Sequence, residues 1–280
     1  MAVITFYPSC DKETGNTIAA IAFATFLGIT KNKKTLLIST GLNDTTVKES
    51  LWVSEQKKRS GLFGPNTTSV AQNGIEELDR IIRSNRFTPE IITNYTRVAL
   101  RERLEALMGY IGRKDQYDEI QKNYPQIVSL AAKSYDTVIV DIDRNMDKVT
   151  QLAILNASDI VIATVPQRMT DIQNLISEIE KGEMLNKNKT LITMGKYDER
   201  SKYNAKNVSR NILKQKDIIN TIPYNFLLME ASQEGKMIDI FISLLNLKNK
   251  DDNYTIIEEL NRLDDKINNR IAENQMMRRK

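Results

Sequence analysis

The chain has no histidine and one cysteine, Cys10, among its 280 residues. The first absence excludes every imidazole-based acid–base or triad mechanism, and with a single thiol the usual zinc ligand sets go too. An internal disulfide is impossible. No apolar run approaches the roughly 20 residues a membrane-spanning helix needs. The opening MAVITFYPS lacks the basic flank and long apolar stretch of a signal peptide, so a cytoplasmic location is expected. Charge of one sign is also scarce: 40 Lys and Arg against 36 Asp and Glu leave a net +4, interspersed along the chain. Weak contact with nucleic acid or an anionic membrane is permitted, and a solvated surface explains the same numbers. What remains for chemistry is carboxylates, amines, hydroxyls, backbone amides and a bound Mg²⁺, an inventory suited to handling phosphate or to no reaction.

Apolar, β-branched runs are plentiful: AVITFY (Ala2 to Tyr7), TLLIST (Thr35 to Thr40), TVIVDI (Thr137 to Ile142), DIVIATV (Asp159 to Val165), TLITM (Thr190 to Met194) and the shorter IINTIP (Ile218 to Pro223). They are continuous rather than alternating, as strands buried on both faces should be. Segments of helical periodicity lie between them, at Thr17 to Leu27, Met146 to Ala157 and Thr170 to Lys181. The rhythm predicts a doubly wound, mostly parallel α/β sheet flanked by helices, with ligands at the carboxyl ends of the strands.

Residues 45–135 break this rhythm and read as a helical insertion in a single domain spanning 1–250. Its helices are expected over GIEELDRIIRSN, over TPEIITNYTRVALRERLEAL with Thr88 as N-cap and Pro89 at the first position, and over YPQIVSLAAKS. Residues 251–280 read as a C-terminal amphipathic helix whose Ile256, Leu260, Leu263, Ile267 and Ile271 form one stripe. Three uses of that stripe stand open: packing on the parent domain, a partner helix, or peripheral membrane contact aided by Arg278, Arg279 and Lys280.

After the first run comes SCDKETGNTIAAIAFA, a loop and a helix start where a nucleotide-binding protein would place G-x-x-x-x-G-K-[ST]. Gly15 and Thr17 match that pattern; Asn16 replaces its lysine.

The ordered set of motifs resembles the ParA/MinD family of partition and positioning ATPases, a branch of the P-loop NTPase fold. SYDTVIVDIDRN resembles the family's YD-x-[IV]-[IV]-[IV]-D-T-P-P strand. ASDIVIATVPQRMTDIQNLISEIE resembles its AD-x-[IV]-[IV]-[IV]-T-x-P-E strand and helix. TIPYNFLLMEASQEGK resembles its I-P-x-[DN]…x-E-A-x-x-x-G-K-P segment through Pro223, Glu230, Ala231, Gly235 and Lys236. The insertion and RLEALMGY most resemble the CpaE/TadZ branch, whose members localise pilus and secretion machinery.

The resemblance implies ATP with Mg²⁺ at Lys12, Gly15, Asn16, Thr17 and Pro223, with Thr17 and Asp141 at the metal. It also implies a homodimer, pilus, secretion or partition partners, and non-specific DNA binding for which Lys202, Lys206, Arg210 and the basic tail are candidates. The loop departs from the family pattern, which reads K-G-G-x-G-K-[ST]. Asp11 falls at the signature lysine, Lys12 and Glu13 at two glycines, and Asn16 at the main lysine. Ser39 and Gly41 stand where the family has its hydrolytic D-x-D, with Asp44 three residues on. Gly195 lies where an asparagine meets adenine. These losses point to a pseudo-ATPase, with no nucleotide bound as one outcome and a rescue by Lys12 as the other. Structural roles remain open beside them: Asp141 as a strand-end cap, Thr17 as an early helix residue, Asn16 and Pro223 as turn residues.

Overall fold

A computed structural model describes residues 1–11, 13–53, 74–84, 88–210, 219–247 and 252–278. The six apolar runs form strands: β1 (Ala2–Pro8), β2 (Thr35–Ser39), β5 (Thr137–Asp141), β6 (Ile160–Val165), β7 (Thr190–Tyr197) and β8 (Ile219–Pro223). With β3 (Arg97–Leu100) and β4 (Leu104–Leu107) they make one sheet of eight strands in the order β3-β4-β2-β5-β1-β6-β7-β8. All described pairings are parallel except β3 with β4. β1 lies between β5 and β6, so the chain leaves it toward opposite edges of the sheet, and the crevice at that switch point is where such folds bind ligands.

The strands sort their side chains between two cores. Val3, Leu36, Ile38, Val138 and Val140 face one of them, covered by α3 (Gly74–Arg83), α4 (Lys114–Ile120), α5 (Tyr124–Ser134), α6 (Lys148–Ala157) and α7 (Met169–Lys181). Ile4, Phe6, Leu37 and Ile139 face the other, under α1 (Asn16–Thr30), α2 (Thr46–Leu51), α9 (Phe226–Glu234), α10 (Met237–Leu245) and α11 (Thr255–Arg278). A short α8 (Ala205–Val208) follows β7. Burial on both faces is what selects continuous apolar runs over alternation.

The expected helix over residues 88–107 is replaced. Thr88 and Pro89 do begin a helical turn, but it is a 3-10 segment ending at Asn94, and the chain then forms β3 and β4. Leu104, Ala106 and Leu107 are helix formers by propensity, yet they are fully buried beside β2, and packing outweighs a propensity difference of at most about 0.7 kcal/mol per residue. Glu105, a poor resident of a central strand, is kept there by Thr96 and Tyr135 hydroxyls at 2.6 and 2.5 Å and by Lys34 at 3.1 Å. The insertion is therefore mixed, and its strands widen the sheet.

The C-terminal stripe is spent on the parent domain. Ile256, Leu260, Leu263 and Ile267 are each at most 1% exposed and join the second core, with Ile271 packed at its edge. Polar bonds fasten the same helix: Thr221 donates to Glu259 across 2.6 Å, and Lys31 pairs with Asp264 at 2.9 Å. That stripe is not free for a partner helix or a membrane, and α11 is part of the domain rather than a separate unit. No described helix is long and apolar enough to cross a membrane.

Candidate functional site

β1 ends at Pro8, and the loop that follows reaches α1 through Gly15, whose φ of 78° is a left-handed conformation that glycine adopts without strain. This turn places Asn16 and Thr17 at the head of α1, facing the ends of β5 and β6. Gly15, Asn16, Thr17, Asp141 and Pro223 all line one cleft of about 450 Å³. Lys12 lies outside the described residues.

The Asn16 amide is turned inward to the strands. The residue is buried, and its amide is divided among three strands: Nδ2 donates to Asp141 Oδ1 at 2.7 Å and to the Phe6 carbonyl at 3.3 Å, while Oδ1 accepts from the Thr164 hydroxyl at 2.7 Å. Burial pushes the Asp141 carboxyl up to about 7; the hydrogen bonds from Thr17 and Asn16 oppose the shift, and the charges of Asp44 and Asp143 add to it. Asp141, one of the two residues expected at a metal, is thus bonded by the Asn16 amide, a strand-end structural contact.

Asp44 reaches the cleft although its spacing places it three residues beyond the hydrolytic position. The loop doubles back at Gly41, where a Cβ would come within 2.7 Å of the Asp44 side chain. Asp44 Oδ1 is engaged by the Thr46 amide at 2.8 Å and the Thr46 hydroxyl at 2.5 Å. Asp143 accepts from the Leu42 amide at 3.2 Å and the Asn145 amide at 2.8 Å. Both carboxylates therefore hold loops.

Two cations that the sequence reading left out complete the site. Lys196, near the end of β7, has a φ of 51°, and Gly195 beside it presses on the β1–α1 loop so closely that a Cβ there would lie 2.0 Å from the Thr14 carbonyl oxygen. From this position Lys196 Nζ meets Glu13 Oε2 at 2.5 Å. Arg144 donates to the Asp11 carbonyl on the same loop. A glycine inside a strand pattern is the usual mark of close backbone approach, and it was the one available signal for Lys196. Pro223, Tyr224 and Asn225 form the opposite wall, where Asn225 caps α9 through the Leu227 amide at 2.9 Å.

This arrangement does not fit a magnesium triphosphate. Such a ligand needs cations and open amides around several negative charges. The described loop instead presents the Glu13 carboxylate, Lys196 is already paired, and Asp141 faces amide and hydroxyl donors. Among the described residues no three Asp, Glu or Cys side chains converge on a common metal position. Lys202, Lys206 and Arg210 are exposed beyond β7, away from the cleft lining.

No family model matches the sequence, and no curated protein does. Solved structures do match. The cell division ATPase MinD of Pyrococcus furiosus aligns with a TM-score of 0.64 at 11% identity, over 95% of this chain and 99% of that one. The MinC:MinD cell division complex of Aquifex aeolicus gives 0.63 at 18% identity, over 94% and 95%. A plasmid partition protein of Borrelia burgdorferi bound to AMPPNP gives 0.57 at 16% identity, over 95% and 98%. At these identities the likeness establishes the fold, which is that of the ParA/MinD ATPases.

Proposed function

We propose that this chain is a ParA/MinD-type protein that has kept the fold and lost ATP turnover, acting as a homodimeric scaffold or positioning factor. The resemblance to the CpaE/TadZ branch supports pilus or secretion machinery as its setting. The observation that carries the reading is the position of Asn16: where a turnover-competent loop extends a lysine toward phosphate, this side chain is buried and bonded to Asp141, Phe6 and Thr164. One charge contact near a protein surface is worth up to about 4 kcal/mol at an effective dielectric of about 20, and this loop replaces attraction with the repulsion of Glu13. Titration calorimetry with ATP and Mg²⁺, followed by a phosphate-release assay, tests it. Absent turnover is expected; micromolar binding with measurable phosphate release overturns it.

A second reading, a nucleotide-switched partition ATPase that holds DNA non-specifically, is favoured by the exposed Lys202, Lys206 and Arg210 on one stretch. It requires DNA retardation that depends on nucleotide and falls steeply as salt rises. Retardation without nucleotide dependence, or none, rejects it.

A further inference from the structure

We propose that Glu13 is an internal plug: its carboxylate occupies Lys196, the cation that β7 delivers to the cleft, and so excludes a small phosphoryl anion from it. This deepens the reading above and rests on it.

Three observations build the contact. First, Lys196 is positioned by backbone packing rather than by the pair itself. Gly195 has no room for a side chain against the Thr14 carbonyl, and the Lys196 Cγ and amide N lie 3.4 and 3.6 Å from where a Cβ on Gly15 would be. The backbone and the start of the Lys196 side chain are therefore set over the loop, and its ammonium meets Glu13 from there. Second, the lysine side chain is 39% exposed and the glutamate 83%, so the pair sits at the open mouth of the cleft. Third, the hydrogen bond from Lys196 and its charge hold the Glu13 carboxyl below its ordinary range, with a smaller contribution from Arg144. At neutral pH Glu13 is ionised and the cation is matched.

The same carboxylate acts twice against an incoming anion. It competes for the Lys196 ammonium, and it repels any negative group that approaches the loop. An exposed ion pair contributes little to stability, so removing it leaves the fold intact while changing what the lysine can bind. With Glu13 uncharged, Lys196 and Arg144 stand unopposed beside the loop, while Asp44 and Asp143 remain among the lining of the cleft.

Inorganic pyrophosphate is the probe, titrated by calorimetry at low ionic strength into the full chain as wild type, Glu13→Gln and the double variant Glu13→Gln/Lys196→Met. Removal of the plug is expected to tighten pyrophosphate binding by about tenfold, equivalent to about 1.4 kcal/mol. The double variant is expected to lose the whole gain. Glu13→Ala supplies a second plug-free chain, and unchanged melting temperatures confirm that each is folded. No gain in either plug-free variant overturns the proposal, and so does a gain that survives Lys196→Met. ATP turnover by the wild type would overturn the non-hydrolysing reading and leave this contact standing; a missing gain would overturn the contact and leave that reading standing.

Discussion

Asn16 Nδ2 lies 2.7 Å from Asp141 Oδ1, joining the head of α1 to the end of β5 inside the sheet's switch point. With the Thr164 bond to Asn16 Oδ1, this amide ties three elements together. Asn16→Ala leaves the Asp141 carboxyl and the Thr164 hydroxyl each without that partner in a buried site, and each lost bond costs about 1–3 kcal/mol. Urea denaturation is expected to report a destabilisation of about 2–6 kcal/mol for the two together. A change below about 0.5 kcal/mol, the size typical of a surface substitution, rejects the structural role.

Asp141 gives the fold a pH dependence of known sign. Its carboxyl titrates at about 7 in the folded chain, against an ordinary value of 3.8. Between those values the folded chain holds a proton that the unfolded chain has released, so this group's contribution to stability falls as pH rises and levels off above the folded value. Asp141→Asn cannot titrate but still offers an acceptor oxygen to Asn16. Its stability relative to wild type should rise from about pH 4 to about pH 7. Parallel curves for the two proteins across that range would falsify the assignment.

Gly195 tests how β7 grips the loop. An alanine Cβ would stand 2.0 Å from the Thr14 carbonyl oxygen, so strand or loop must move. Overpacking of this kind costs about 1–3 kcal/mol. Faster amide exchange at residues 14–18 is expected alongside the lower stability. Wild-type exchange rates there would show that the strand does not brace the loop.

The C-terminal helix should behave as core. Leu260 is fully buried, and Leu260→Ala is expected to lower the stability of the whole domain by about 2–5 kcal/mol within one cooperative transition. Met277, 59% exposed near the end of the same helix, should tolerate alanine within about 0.5 kcal/mol. A separate early transition for α11 would contradict its place in the second core.

Much of this architecture was legible before any coordinates. Strands buried on both faces must be apolar throughout, so six of them declare themselves, and the α11 stripe follows from helical periodicity. The strands β3 and β4 do not, because Leu104 to Leu107 carry helix-forming residues whose state is settled by β2 alongside. The candidate site divides in the same way. Gly15, Thr17, Asp141 and Pro223 could be found from local pattern, since each stands at the end of a recognisable element.

The sequence by itself determined the sheet and its flanking helices, because those depend on residue type and short-range spacing. Only the tertiary structure decided what Asn16 holds at the head of α1. The partners of Asn16 lie 125 and 148 residues away, brought in by the register of β5 and β6 on either side of β1. Lys196 pairs with a residue 183 positions distant because Gly195 lets one backbone rest on another. Local chemistry sets what each segment can form; sheet order sets which charges meet.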